Sequence, residues 1–300
     1  KDATKYFLRY VERVVDALCD KVSFWVTINE PMVYVYHSYI LGVWPPQEKS
    51  LLKAKRVRDN LILSHIKAYN LIHRIYKKRN LSPPFVSIAK NIQAFQACSA
   101  TLPAKGGIPH SYLKSLLMRE KNKFAIYLRD RLYNFEFIKQ LIRYKSLDFI
   151  GINYYTRSLV DVKSWGFKNL LLDTCESNHS EVKKNSLGWD IYPQGLYNLL
   201  FRLKRFHLPI FILENGICTD DDNARWDFIY EHLKNLTQAM GQGVKVLGYI
   251  YWSLIDNYEW DKGFSHRFGL IEVDYNTYKR TIRESARKLS GVCKTGILNR

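Results

Sequence analysis

Val22-Ser23-Phe24-Trp25-Val26-Thr27-Ile28-Asn29-Glu30-Pro31 is the stretch from which the fold is read. The run Val22–Ile28 is rich in β-branched and aromatic side chains and has the length of a strand buried on both faces. It stops abruptly at an amide, a carboxylate and a proline. Upstream, Phe7, Val11, Val14, Val15 and Leu18 recur at helical spacing. Downstream, Asn60 to Arg79 reads as helix, and a second apolar strand follows at Phe85–Ala89. A long basic and aromatic helical region runs to about Tyr144. Strands and helices then go on alternating. Asp148–Tyr154, Pro209–Leu213 and Val244–Leu254 are further strand candidates. Helices are expected from Trp189-Asp190-Ile191-Tyr192-Pro193 up to Phe206, over Ala224–Gln242 and over Thr281–Leu289.

Strands that alternate with helices, each strand apolar and ending in polar or aromatic residues, imply a parallel α/β sheet covered by helices. No GxGxxG or GxxxxGKS follows a strand, so a nucleotide-binding wound sheet is not supported. In a (β/α) barrel the reactive groups sit at the C-terminal ends of the strands. Asn29-Glu30, Asn153-Tyr154-Tyr155, Glu214-Asn215 and Trp252 all fall there. The polar segment Ser158–Ser186 reads as a loop excursion after a strand. There is no internal repeat and no low-complexity tract.

Composition narrows the classes. The chain has 300 residues, 47% of them hydrophobic, enough for a large core in one big domain or two ordinary ones. No stretch approaches the ~18 apolar residues of a membrane span, and Lys1–Tyr10 reads as a polar helix start, with no signal peptide. The five cysteines (Cys19, Cys98, Cys175, Cys218 and Cys293) are scattered and odd in number. They show neither zinc-ligand spacing nor a disulfide framework, so a reducing cytoplasm is expected. The net charge of +18 invites a nucleic-acid or anionic-membrane reading. The basic residues, however, are spread over Lys49–Arg79, Lys114–Lys145 and Lys279–Arg300, interleaved with Tyr, Leu and Ile at helical spacing. They read as solvated helix faces, and neither nucleic acid nor membrane is expected as a partner.

Glu30 and Glu214 each end an apolar strand and each adjoins an asparagine. Two carboxyl groups facing one substrate are the minimal machinery for cleaving a glycosidic bond: one gives a proton to the leaving oxygen, and the other attacks the anomeric carbon. Burial and mutual repulsion can separate their proton affinities accordingly. A single glutamate would more often be a solvated or ion-paired surface residue. Two at strand ends in Asn-containing tripeptides favour a site. Tyr154, Tyr155, Trp189, Trp252, Trp260 and Phe268 lie after strand ends, where flat rings can pack on the C–H faces of sugars. Glu259 offers a bidentate acceptor for hydroxyls.

These residues carry a resemblance. Thr27-Ile28-Asn29-Glu30-Pro31 resembles the acid/base motif of glycoside hydrolase family 1, the β-glucosidase family, and Ile212-Leu213-Glu214-Asn215-Gly216 resembles its nucleophile motif, with Leu213 where the family usually has Thr. Trp252-Ser253-Leu254-Ile255-Asp256-Asn257-Tyr258-Glu259-Trp260, followed by Arg267-Phe268-Gly269-Leu270, resembles its sugar-binding signature. Gly151–Thr156 and Gly188–Pro193 match as well, and the matches run in order along essentially the whole chain.

The resemblance implies a TIM (β/α)8 barrel and a retaining β-glycosidase, a β-glucosidase-like O-glycosyl hydrolase acting on β-glucosides, β-galactosides or β-fucosides, with no metal or organic cofactor. By similarity, Glu214 is the nucleophile, Glu30 the acid/base, and Tyr155 the hydrogen-bond donor to the nucleophile. Asn29 and Asn153 join the substrate-binding set. Glu259 and Trp260 bind the hydroxyls of the non-reducing sugar, Trp252 is the stacking platform with Phe268 nearby, and Trp189 flanks the aglycone. Glu259 also argues for an unphosphorylated sugar, because a carboxylate there repels phosphate.

A barrel of this type needs eight strands, and five are counted. By the resemblance they are strands four to eight. The expectation is therefore a single barrel domain over residues 1–300 lacking the first three strands, with little or no activity alone and with a missing N-terminal segment as a possible partner. The alternatives carried forward are a transglycosidase and a non-catalytic carbohydrate-binding remnant.

Overall fold

A computed structural model describes residues 2–98, 110–175 and 182–299, with the side chains of 110–116 left aside. Its elements run α1 (Ala3–Leu18), β1 (Phe24–Asn29), α2 (Pro31–Val35), α3 (Leu51–Lys78), β2 (Phe85–Asn91), β3 (Ala94–Ala97), α4 (His110–Arg129), α5 (Glu136–Arg143), β4 (Ile150–Asn153) and β5 (Arg157–Val160). They continue with α6 (Phe167–Leu172), α7 (Pro193–Leu203), β6 (Ile210–Asn215), α8 (Asp222–Gly241), β7 (Val246–Tyr251), β8 (Ile271–Val273), β9 (Arg280–Ile282) and α9 (Glu284–Thr295). Two π-helical turns, Tyr36–Leu41 and Asp130–Phe135, extend α2 and join α4 to α5.

The main sheet has five parallel strands in the order β1-β2-β4-β6-β7. Each expected strand lies where the sequence puts it, with ends displaced by a few residues. The strand order follows chain order because each helical connection returns the chain to the position beside the strand just left. Successive side chains on β1 take opposite faces. Trp25 and Thr27 face the helix layer: Trp25 Nε1 donates to Tyr76 on α3 at 2.8 Å, and Thr27 Oγ1 meets His65 on α3 at 2.6 Å. Phe24 and Val26 take the other face. Phe24 stacks on Phe85 at 4.8 Å and meets Phe149 and Phe211 at 5.9 Å.

That second face is where the sheet is unfinished. Phe24 is 43% exposed, Val26 44% and Phe85 40%, while Leu247 and Ile250 on the opposite edge strand are 42% and 48% exposed. Among the described residues, β1 and β7 each have a neighbour on one side only. The helix side, by contrast, is closed. Ile88, Ile152, Leu199, Leu200, Ile210, Ile212 and Ile229 are all buried in the largest core, and Val11, Val15, Ala68, Ile72 and Tyr76 seal α1 onto α3.

Three sequence readings need correction. Two further short sheets, β3 with β5 and the hairpin β8–β9, fall in segments with no strand expectation. They are four or three residues long, too short to show a period. The Ser158–Ser186 excursion contains β5 and α6; its residues 176–181 lie outside the described residues. Finally, Cys98 and Cys175 form a disulfide across 77 residues. Cys98 N donates to Val160 O and Cys175 N to Leu159 O, so both cysteines flank β5 and are brought together by the β3–β5 pairing that sequence spacing did not reveal. No helix among the described residues is long and apolar enough to cross a membrane.

Candidate active site

The parallel register delivers polar residues to one end of the sheet. Asn91 on β2 stands beside Asn153 on β4, and Asn153 beside Glu214 on β6. Glu30 follows β1 and caps α2 with φ +45°, a left-handed conformation that is uncommon for a residue with a side chain. Its N–H donates to Ala89 O at 2.7 Å, so the strand ends and the helix begins at this one residue. Pro31 at the first helical position fits that start.

Asn153 stands between the two glutamates. It is fully buried. Its Nδ2 donates to Glu30 Oε1 at 3.0 Å and to Asn29 Oδ1 at 3.2 Å, and β4 places it in register beside Glu214 on β6. Asn91 Nδ2 gives Glu30 Oε1 a second bond at 3.2 Å. Tyr155 OH donates to Glu214 Oε2 at 2.7 Å. Burial pushes the Glu214 carboxyl up to about 7; the Glu30 and Glu259 carboxylates push the same way, while the hydrogen bonds from Tyr155 and Asn153 oppose. Burial, with Glu214 adding to it, drives the Tyr155 phenol well above its usual range, so it stays a donor.

Glu259 is half-buried. Burial, then Glu30 and Asp261, raise its carboxyl above the usual range. Three carboxyl groups therefore act on one another across the same end of the sheet.

The aromatic residues form two groups. Tyr155, Trp189 and Phe268 lie edge-on or tilted to one another at 6.0 to 6.4 Å. Trp189 is held by its neighbour: Asp190 pairs with Arg157 Nε at 2.8 Å, and Thr156 Oγ1 donates to Asp190 O. Trp260 is 70% exposed and lies 6.3 Å from Trp44, which stacks on His37 at 4.6 Å. Trp252 directly follows β7, its N–H donating to Asn215 O at 3.0 Å, and its peptide bond to Ser253 is cis. Asn215 is locked by Nδ2 on Tyr154 O and by Tyr249 OH on its Oδ1. Gly216 must be small, since a Cβ there would lie 1.8 Å from Trp252 O.

All the residues singled out from sequence thus gather at the C-terminal end of the sheet or in the loops that follow it. The roles differ in one respect. Asn153, expected among the substrate-binding residues, is wholly buried and donates to Glu30. Asn91, Lys90, Tyr133, Trp44 and His37 were missed. Asn91 ends β2 two residues beyond the expected strand, so the strand-end rule applied to the longer strand would have found it.

A sequence profile of Glycosyl hydrolase family 1 matches residues 1–296. Among curated proteins, the chain is 31% identical over 302 residues to a β-galactosidase of Sulfolobus acidocaldarius, covering 93% of this chain and 56% of that protein. It is 32% identical over 313 residues to a chloroplastic galactolipid galactosyltransferase of Arabidopsis thaliana, covering 98% and 44%. Among solved structures, a β-glycosidase from Pyrococcus horikoshii superposes with a TM-score of 0.83 at 35% identity, covering 99% of this chain and 66% of that one. The chain thus spans about half the length of these two curated relatives.

Proposed function

Because the chain belongs to glycosyl hydrolase family 1, we propose that it is the catalytic part of a retaining β-glycosidase acting on a terminal, unphosphorylated β-glucosyl, β-galactosyl or β-fucosyl unit. The observation that carries this reading is the pair Glu30 and Glu214 at neighbouring strand ends, with Asn153 bonded to Glu30 and Tyr155 bonded to Glu214. In the first half-reaction Glu214 Oε attacks the anomeric carbon as Glu30 passes its proton to the leaving oxygen. In the second, Glu30 takes a proton from water, the water oxygen bonds to the anomeric carbon, and Glu214 leaves as carboxylate. Glu259 and Trp260 receive the sugar hydroxyls, Asn29 the 2-hydroxyl, Trp252 and Phe268 the sugar face, and Trp189 the aglycone.

The five parallel strands correspond, on this reading, to strands four to eight of a closed barrel. The exposed Phe24 and Val26 on β1 and Leu247 and Ile250 on β7 support it, since three further strands would pair with both edge strands and close the sheet. The glycone pocket then lacks a wall, and a misplacement of about 1 Å can cost on the order of 10²-fold in rate. Slow hydrolysis by the chain alone is expected.

Hydrolysis of an aryl β-glucoside at high protein concentration, followed by proton NMR of the first-formed sugar, tests the mechanism. The β-anomer is expected first. Initial release of the α-anomer would overturn retention. The galactosyltransferase relative supports a second reading, transfer of the glycosyl group to an acceptor other than water. Added sugar or alcohol acceptors would then divert product away from the free sugar.

A further inference from the structure

β2 ends in Ala89-Lys90-Asn91, and Lys90 is 0% exposed. Lysine is almost never buried without a compensating partner, because an ammonium loses its hydration there. Lys90 Nζ donates to the Asn91 carbonyl and sits 4.3 Å from the centre of the Tyr133 ring. Tyr133 OH donates to Asn91 Oδ1 at 2.9 Å, and Asn91 Nδ2 donates to Glu30 Oε1. Ammonium, phenol, amide and carboxyl thus form one connected chain. It approaches Glu30 from β2, and β4 stands between β2 and the strand that carries Glu214.

We propose that Lys90 is a positioning residue for Glu30: it fixes the Asn91 amide on Glu30 Oε1 and supplies a positive charge that favours the ionised form of Glu30, on the far side of β4 from Glu214. The inference rests on reading Glu30 as the acid/base. Its use lies in the second half-reaction. There Glu214 is esterified and uncharged, and Glu30 must be ionised to accept a proton from water. In its protonated form, the Lys90 ammonium behind Glu30 stabilises that state.

The surroundings select Glu30 as the group that answers Lys90. Burial lowers the Lys90 ammonium to about 7, and Glu30 is the one charge that opposes it. Tyr133 is buried, and burial holds its phenol neutral; Glu30 and Tyr36 add to that effect. From the same π-helical turn, Asp130 is engaged by Asn134 and Arg202, and Arg131 is exposed. Residues 31–35 of α2 bring one titratable side chain, Tyr34, which is exposed, and β4 brings none. The largest influences on Glu214 are burial, Tyr155, Glu30, Asn153 and Glu259.

The test needs no turnover. The chain is labelled with [6-13C]lysine, the Lys90 signal is identified by its loss in Lys90→Met, and the lysines are titrated by NMR. Lys90 is expected to titrate near 7, far below the surface lysines. Glu30→Gln keeps an acceptor oxygen for Asn91 and Asn153 but removes the charge, and should weaken Lys90 proton affinity about tenfold. Glu30→Ala provides the same comparison if the first variant does not fold. Tyr155→Phe, which touches Glu214, should leave Lys90 where it is. A Lys90 that titrates with the surface lysines, or that ignores the loss of Glu30, overturns the proposal. Failure of the glycosidase reading is seen separately, as the absence of covalent labelling at Glu214.

Discussion

At the scale of single residues, Glu214 carries a cost that function would justify. Its carboxyl is raised from the ordinary 4.5 to about 7, burial being the largest cause. The sign follows from proton counting. Between these two values the folded chain holds more protons at Glu214 than the unfolded chain does, so stability falls as pH rises from about 4.5 to about 7. The penalty is complete above that window. Glu214→Gln should therefore stabilise the fold by about 2–3 kcal/mol at pH 8 and change little at pH 4, as measured by urea unfolding at both pH values. Tyr155 opposes the shift through its 2.7 Å bond. Tyr155→Phe should raise the Glu214 value further, moving the acidic limb of any labelling or hydrolysis profile to higher pH and slowing reaction at pH 6 on the order of tenfold. An unmoved acidic limb would show that this hydrogen bond does not tune the carboxyl.

At the scale of elements, the sheet explains why the sequence could be read so far. Buried parallel strands are continuous apolar runs, and their C-terminal residues are the polar exceptions. The runs before Glu30 and Glu214 therefore disclosed both the strands and the site. The short β3, β5, β8 and β9 lacked that contrast, and the Cys98–Cys175 bond depends on a pairing between segments far apart in sequence. Lys90 was hidden for a different reason: its partners Asn91, Tyr133 and Glu30 come from three elements, and only the register brings them together. The junction of β6 and β7 gives a test of its own. Gly216 sits against Trp252 O, with no room for a methyl group. Gly216→Ala should cost ~2–3 kcal/mol by overpacking and displace Trp252, visible as a lowered Tm and altered tryptophan fluorescence. A variant with unchanged Tm and emission would mean that this close approach is not required.

At the scale of the whole molecule, a closed helix layer is set against an open sheet. β1 and β7 present unpaired edges among the described residues, and apolar side chains near both edges are exposed. Such edges template pairing with other chains. The chain by itself should associate as concentration rises, and light scattering after size-exclusion chromatography reads this directly. A monodisperse monomer at all concentrations would argue that the open face is tolerated. The same openness bears on catalysis. On the proposed reading, both carboxyls and the aromatic residues are in place, while three strands that would complete the pocket around the sugar lie outside the sheet described.

The measurement that tests the central claim most directly is intact mass before and after long incubation with a 2-deoxy-2-fluoro-β-glucoside carrying a dinitrophenyl leaving group, followed by peptide mapping. The good leaving group removes the need for proton donation, and the trapped intermediate accumulates even where turnover is slow. One glycosyl adduct on the peptide that holds Glu214, absent in Glu214→Gln, is the predicted result. A folded chain that takes no label, or takes it at another residue, would contradict the assignment of Glu214 as nucleophile.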